Sequence, residues 1–277
     1  MKTFLTNVTP PAMLPDPAWW FVFAGDNLLV TLSEDSATIP CVFELSEIGL
    51  TPIRQHYLGT LEGRPCFTAD LAGNIDPPAG MQFHGLRRLW EKLDEELFLV
   101  AGRAVQIVNW DRTHQFCGRC GSPTVDKPGE RAKVCPQCGL TNFPRLSPAI
   151  IVAITRGNKI LLARNQRSPS GFFSVLAGFV EPGETLEECV QREVLEETGI
   201  LVDNIRYFGS QPWPFPHSLM IGFTATYAGG EIAPDLTEIA EAHWFAANDL
   251  PLIPGKISIS RQLIDWFVAQ NHDQESG

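Results

Sequence analysis

Four of the seven cysteines fall into two matched pairs, Cys117-Gly-Arg-Cys120 and Cys135-Pro-Gln-Cys138, with fourteen residues between them. A glycine follows each pair, Gly121 and Gly139. Four thiolates at this spacing can converge tetrahedrally on one Zn²⁺, and the glycines allow tight turns that aim backbone N–H groups at the sulfurs. Redox C-x-x-C chemistry or disulfides would use the same residues. Two matched pairs in a chain with no signal-peptide-like start favour the metal. Thiolates would fill all four positions, so this zinc would be structural, holding a segment too short for a core of its own. A ribbon of this kind can also hold nucleic acid. Cys41, Cys66 and Cys189 are left over and read as ordinary buried thiols.

The second chemical signal is a run of carboxylates in GFVEPGETLEECVQREVLEETGI, residues 178–200. Thr185 followed by Glu188 is a capping-box signature, and Gly199 stands where a helix would end, which predicts a helix over Thr185–Thr198. At about 100° per residue, Leu186, Cys189, Val190 and Val194 share one apolar face. Glu193 and Glu197 fall in the middle of that face, and Glu196 lies at its edge. A solvated acidic face would account for Glu187 and Glu188, but not for Glu193 and Glu197. Two carboxylates on a core-facing stripe are costly unless paired or metal-bound. Arg192 could pair with one of them but not with all. A hard divalent cation is the economical partner, and Mg²⁺ in particular serves phosphate substrates.

The elements that must position these residues sort into three regions. Residues 1–110 alternate apolar stretches, such as Trp19–Phe23 and Leu28–Leu32, with turn signals, and read as a β-rich or α+β domain. Apolar residues at helical spacing between Phe83 and Asn109 predict that helices close it. Its simplest role is packing or dimerisation. Residues 111–143 form the cysteine-punctuated ribbon. Residues 144–277 read as an α/β unit, with Ala149–Thr155 and Lys159–Ala163 paired around Gly157-Asn158, a strand at Leu219–Tyr227 and a closing helix at Ser258–Ala269.

The carboxylate segment resembles the Nudix box, G-x5-E-x7-R-E-U-x-E-E-x-G-U, at every fixed position: Gly178, Glu184, Arg192, Glu193, Val194, Glu196, Glu197, Gly199 and Ile200. The resemblance implies hydrolysis of a nucleoside diphosphate linked to another moiety. It implies an α/β (α+β) chain whose Nudix α/β/α sandwich follows a zinc ribbon and a β-rich N-terminal domain. Downstream, Ser210-Gln-Pro-Trp-Pro-Phe-Pro-His-Ser218 alternates three prolines with two aromatics. Taken alone it is a stiff turn, whose aromatics are either buried or presented to a ligand at little ordering cost. Beside the box it is similar to the SQPWPFPxS signature of the NADH pyrophosphatase subfamily, which also has an N-terminal domain and a four-cysteine ribbon. The likeness is close over the ribbon and box; the first hundred residues match in position more than in letters.

The resemblance implies the following roles. Glu193, Glu197 and Glu238, with the carbonyl of Ala177, hold Mg²⁺ or Mn²⁺; Glu241 is the local rival to Glu238. Glu196 is a ligand or base candidate, and Arg192 an orienting salt bridge. The water's proton goes to Glu196, Glu197 or another carboxylate. Phe179 stacks on nicotinamide, and Gln211, Pro212, Trp213, Pro214, Phe215, Pro216, His217 and Ser218 line the dinucleotide site. Glu130 and Ser260 occupy substrate-contact positions, and Arg87, or equally Arg88, reaches substrate from the first domain. Phe143-Pro144-Arg145 stands where the family often shows Tyr-Pro-Arg, which keeps stacking but loses a hydroxyl.

The expected reaction is metal-assisted hydrolysis of NAD(H) to nicotinamide mononucleotide and AMP, by a homodimer. Removal of an NAD cap from RNA 5′ ends is the same chemistry on a larger substrate. A non-catalytic zinc-ribbon nucleotide-binding module is the remote alternative. The length of 277 residues suits about two domains of ~150 residues. No apolar run reaches ~18 residues, so no membrane span is expected and a cytoplasmic protein is the default. The net charge of −11 argues against general duplex binding. However, residues 181–197 hold seven glutamates against one arginine, a net of −6, so over half of the excess sits at the expected metal site. A local basic patch of Arg112, Arg119, Lys127, Arg131 and Lys133 would suffice to hold RNA.

Overall fold

A computed structural model of the chain describes residues 4–73, 75–166 and 171–272, which divide between two compact units, residues 1–145 and 146–277. In the first, strands β1 (Phe4–Thr6), β2 (Ala18–Ala24), β3 (Asn27–Leu32), β4 (Ala37–Thr38), β5 (Cys41–Val42), β6 (Arg54–Leu61), β7 (Arg64–Asp70) and β8 (Gln82–Gly85) form one sheet. Its order is β1-β6-β7-β2-β3-β4, with β5 on β2 and β8 on β3, and only β2 and β7 run parallel among these pairings. Helix α1 (Glu95–Thr113) packs on β7 and β2 and starts where Asp94 caps the N–H groups of Glu96 and Leu97. The helical reading of 83–109 therefore holds only for its second half. Phe83 lies in β8, opposite Leu29, and Leu86–Leu89 form a 3₁₀ turn.

The ribbon belongs to this first unit. Strands β9 (Val125–Asp126), β10 (Lys133–Val134) and β11 (Thr141–Asn142) make a small antiparallel sheet beside the cysteine turns. Lys133 ties it to α1, its Nζ donating to Asp111 at 2.7 Å and Asp126 at 2.9 Å.

The second unit contains β12 (Ser147–Arg156), β13 (Lys159–Asn165), β14 (Leu176–Phe179), helix α2 (Leu186–Thr198), β15 (Ile200–Trp213), β16 (Ser218–Gly230), β17 (Ile239–Ala246) and helix α3 (Ile259–His272). The sheet order is β15-β16-β12-β13-β17. Strand β12 runs parallel to β16, and its other edge is shared between β14 and β13. It is apolar almost throughout because both of its faces are covered. Ile150, Val152 and Ile154 point into a core with Val190 and Val194 of α2, whereas Ile151 and Ala153 point into a core with Leu263 and Phe267 of α3. That alternation is the α/β/α sandwich.

Candidate active site and zinc site

The four cysteine sulfurs all lie within 4.8 Å of one another, with 3.5 Å between Cys117 and Cys138 and between Cys120 and Cys135. A tetrahedron of Zn–S bonds of ~2.3 Å has edges of ~3.8 Å, so the sulfurs fit a closed zinc site of four thiolates. Gly121 and Gly139 adopt φ of 74° and 73° and return their N–H groups to the carbonyls of Cys117 and Cys135, both at 2.9 Å. Only a residue free of Cβ strain closes these turns readily. Cys66 and Cys189 are buried as expected, whereas Cys41 is half-buried, 3.0 Å from an Arg64 guanidinium nitrogen.

Helix α2 has the expected ends: Thr185 and Glu188 form the reciprocal capping box, and Gly199 closes it with φ 72°. Its register puts Glu197 inside, 8 % exposed, with Oε2 buried and without a hydrogen-bond partner. Burial, with the like charges of Glu193, Glu238 and Asp235 around it, pushes the Glu197 carboxyl up to about 8. Glu193, one turn earlier, lies over β14. A Cβ added to Gly178 would fall inside the Glu193 carboxylate, so any larger residue at this box position would push that carboxylate aside. Burial raises the Glu193 pKa as well. Glu238 is exposed on the approach to β17, within electrostatic reach of both. Ala177 pairs with Ile151 one residue before Gly178, which puts its carbonyl on the same strand.

A buried carboxylate oxygen without a donor, beside a second, partly buried carboxylate and a third within reach, fits a divalent cation with oxygen ligands. Among the described residues, only the four cysteines form a group with all donor atoms within 4.8 Å; the glutamates are more widely placed.

Arg192 does more than expected. Its guanidinium reaches Glu184 at 2.7 and 2.9 Å, Glu193 at 2.9 Å, Glu196 at 3.1 Å and the Phe179 carbonyl at 3.0 Å. It bonds three carboxylates and fastens the helix to the glycine loop, but not Glu197. Hydrogen bonds from Arg192 and from the Glu181 N–H hold Glu184 down to about 2. Glu184 and Asp235 are absent from the expected site residues; Glu184 was visible as a box letter, but nothing in the sequence pointed to Asp235. Glu196 is 60 % exposed on the solvent side. Glu241 pairs with Arg164 at 2.7 Å and so is committed elsewhere.

Phe179 is 57 % exposed at the end of β14, as a stacking residue requires. The proline-aromatic segment is not a free loop. Ser210–Trp213 end β15, Pro214–His217 form the turn, and Ser218 opens β16 opposite Trp213. Prolines are tolerated because β15 is an edge strand. Trp213 and Phe215 meet edge to face, 5.1 Å between centroids, on either side of Pro214; the bond from Phe215 to Pro216 is cis. His217 Nδ1 lies 3.0 Å from Ser147 Oγ.

Two expected contacts are otherwise engaged. The Gln211 carboxamide donates to the Ile257 carbonyl at 2.7 Å and accepts from the Ile259 N–H at 2.8 Å, clamping the start of α3. The buried Ser260 hydroxyl is 2.7 Å from that of Ser174. Ser218 is buried too.

Arg87, Glu130 and Phe143 lie in the first unit. Arg87 is exposed on the 3₁₀ turn, Glu130 pairs with Lys127 at 2.7 Å, and the Phe143 ring is exposed after β11. The expected basic patch is not a surface of free cations. Lys133 is buried against Asp111, Arg112 bonds the buried Asp70, Lys127 pairs with Glu130, and Arg131 donates to the carbonyls of Asn7 and Tyr57; Arg119 is exposed.

Comparison with known proteins accounts for each region. Residues 145–267 match the NUDIX domain, 112–143 the NADH pyrophosphatase zinc ribbon domain, and 17–110 the NADH pyrophosphatase-like rudimentary NUDIX domain. A crystal structure of a NUDIX hydrolase from Nitrosomonas europaea superposes with a TM-score of 0.50 at 23% identity, covering 57% of this chain and 93% of that one, which speaks to fold alone. The chain is 44% identical over 94% of both lengths to the NAD-capped RNA hydrolase NudC of Stutzerimonas stutzeri strain A1501. It is 46% identical to the protein of that name from Deinococcus radiodurans, over 96% of this chain and 92% of that one. With box, ribbon and a rudimentary first domain in one order along near-full-length relatives, the chain belongs to the NudC family of Nudix proteins.

Proposed function

We propose that the chain hydrolyses the pyrophosphate of NAD(H), both free and as the 5′ cap of RNA. Free NAD(H) would give nicotinamide mononucleotide and AMP; the cap would give nicotinamide mononucleotide and a 5′-phosphorylated RNA. The observation that carries this reading is Glu197, a buried carboxylate with an unpartnered oxygen one helical turn from Glu193. The near-full-length relatives named NAD-capped RNA hydrolases support the substrate.

Glu193, Glu197 and Glu238, with the Ala177 carbonyl, would hold Mg²⁺ or Mn²⁺. When bound, these cations neutralise the pyrophosphate and make a bound water acidic enough to attack phosphorus. Arg192 fixes the rotamers of Glu193 and Glu196, so the carboxylates need no reorganisation as substrate arrives. Glu196, on the solvent side, is a candidate to accept the water's proton. The exposed Phe179 ring would stack on nicotinamide, with the Trp213–Phe215 hairpin bounding the dinucleotide. Four cysteines set for zinc and three further thiols outside any disulfide suit a reducing compartment, which supports a cytoplasmic protein, and no described helix is long and apolar enough to cross a membrane. The homodimer remains part of the proposal and is checked by sedimentation.

The test is release of AMP from NADH, and of nicotinamide mononucleotide from an NAD-capped oligonucleotide, by purified protein with Mg²⁺ or Mn²⁺. Folded protein that releases neither would overturn the reading.

A further inference from the structure

Glu238 is the one proposed metal carboxylate that α2 does not carry, so another segment must bring it to Glu193 and Glu197. That segment is tied to the end of the same helix. The last carbonyls of a helix have no partner within it. Here two of them, on Glu197 and Thr198, accept from the N–H groups of Asp235 at 3.1 Å and Ala233 at 2.8 Å. Gly199 lets the segment pass this close, since a Cβ there would lie 2.8 Å from the Glu231 carbonyl oxygen.

From that tie the chain makes one tight turn. The Asp235 carbonyl accepts from the N–H groups of Glu238 at 3.1 Å and Ile239 at 2.8 Å. The Asp235 carboxylate closes the same turn through its side chain. One oxygen accepts from the Thr237 N–H and the other from the Thr237 hydroxyl, both at 2.9 Å. Aspartate suits such a turn because its short side chain reaches the main chain two residues on. Gln166, just past β13, holds the far side: its N–H donates to the Glu238 carbonyl at 2.7 Å and its carboxamide to the Leu236 carbonyl at 3.1 Å. Ile239 is buried in the core with Val190 and Val194 of α2. The Glu238 side chain is exposed, so its place is set by this main-chain turn rather than by packing.

We infer that Asp235 is a positioning residue for the metal site: its carboxylate, through Thr237, sets the turn that presents Glu238. The inference rests on the proposed metal site. Asp235 also stands within electrostatic reach of Glu197, so its charge is the competing cause. Asparagine separates the two. Its carbonyl oxygen can accept from the Thr237 N–H and its amide can donate to the Thr237 hydroxyl oxygen, so the turn survives without the charge.

The experiment titrates the zinc-loaded full chain with Mn²⁺ in the absence of substrate, reading the free ion by electron paramagnetic resonance. Asp235→Ala should weaken Mn²⁺ binding about 10-fold, the low end of the effect of groups that support metal ligands. Asp235→Asn should stay within about twofold of the native protein. On a Glu238→Ala background, Asp235→Ala should weaken binding by less than about twofold further, because the carboxylate it positions is gone. Unchanged binding in Asp235→Ala would overturn the inference. So would an Asn variant as weak as the Ala variant, or the same loss on both backgrounds, since charge or general loosening would then be the cause. Failure of the native protein to bind Mn²⁺ would overturn the metal site and this inference together. Mn²⁺ binding as expected, with no release of AMP from NADH, would overturn the proposed hydrolysis alone.

Discussion

The two units bury carboxylates in opposite ways. In the first, Asp111 is 2 % exposed at the end of α1 and fully engaged: His56 at 2.8 Å, Lys133 at 2.7 Å and Gln115 at 2.6 Å. Burial works against its ionisation, but the hydrogen bonds from His56 and Lys133 prevail and hold the carboxyl down to about 2. Asp70 is likewise bonded by Arg54 and Arg112. In the second unit, Glu197 is nearly as buried, yet one oxygen has no donor and its pKa stands at about 8. A closed set of partners makes a fastening between elements. An open one leaves a charge that something from outside must compensate.

If that contrast is right, Glu197→Gln costs activity and not stability. Losing a metal carboxylate removes several kcal/mol of transition-state stabilisation, so kcat should fall by about 10³-fold or more. The metal-free Tm should stay level or rise, because the amide removes a buried charge lacking a donor. Parallel measurement of NADH turnover and thermal unfolding separates the two effects. Loss of activity with a Tm several degrees lower would make Glu197 a structural residue like Asp111.

Asp111→Asn should behave in the reverse manner. Removing one member of a buried ion pair typically costs 3–5 kcal/mol, because the partner charge is left uncompensated. For a unit of this size that is a Tm fall on the order of 10 °C, with zinc release moving in step because Lys133 belongs to the ribbon. Well below that transition, NADH turnover should be retained. A small stability change would mean that Lys133 and His56 find water or another partner.

The titrations extend the contrast to pH. Asp111 is bound more tightly in its ionised form in the fold, so its contribution is present above about pH 4 and lost as pH falls toward 2. Glu197 has a raised pKa, so the metal-free fold favours its protonated form and loses stability as pH rises from about 4.5 through about 8, by up to a few kcal/mol. Without added divalent metal, the second unit should therefore weaken between pH 5 and 8 while the first does not. Added Mg²⁺ or Mn²⁺ should flatten that loss. Calorimetric scans at two pH values, with and without metal, would show it; a pH-independent second unit would mean that Glu197 is solvated.

How much of this was legible in the sequence depended on the range of the causes. The caps of α2, the cysteine turns and the β12–β13 pairing around Gly157-Asn158 are local, and each appears where the letters put it. The inward register of Glu197 followed from helical period alone. The basic patch failed because its partners are distant: Arg112 meets Asp70 across 42 residues, and the charge string carries no sign of that. Ser210–Trp213 read as a loop because proline argues against a strand, and only the sheet order shows that β15 lies at an edge. The first domain's likeness to a rudimentary Nudix domain was hidden for a related reason. Among its described residues there is no counterpart of the carboxylate helix, the element by which the second unit is recognised.

Gln211 tests whether the distinction lies between the units or between open and closed groups. It belongs to the active unit, in a segment that resembles a substrate-binding signature, yet both ends of its carboxamide are engaged by the main chain at the start of α3. Closed polar groups should act through what they hold. Gln211→Leu leaves a carbonyl and an N–H without their partners, a cost of about 1–3 kcal/mol. The start of α3, and with it Ser260 and its bond to Ser174 beside β14, should loosen. The expected result is a modestly lowered Tm and a several-fold rise in KM for NADH, with kcat changed little, because the carboxylates on α2 are untouched. A much larger rise in KM at unchanged Tm would mean that the carboxamide turns to meet substrate. Gln211 would then rank with Glu197 as an open group, and the engaged geometry would be only a resting state.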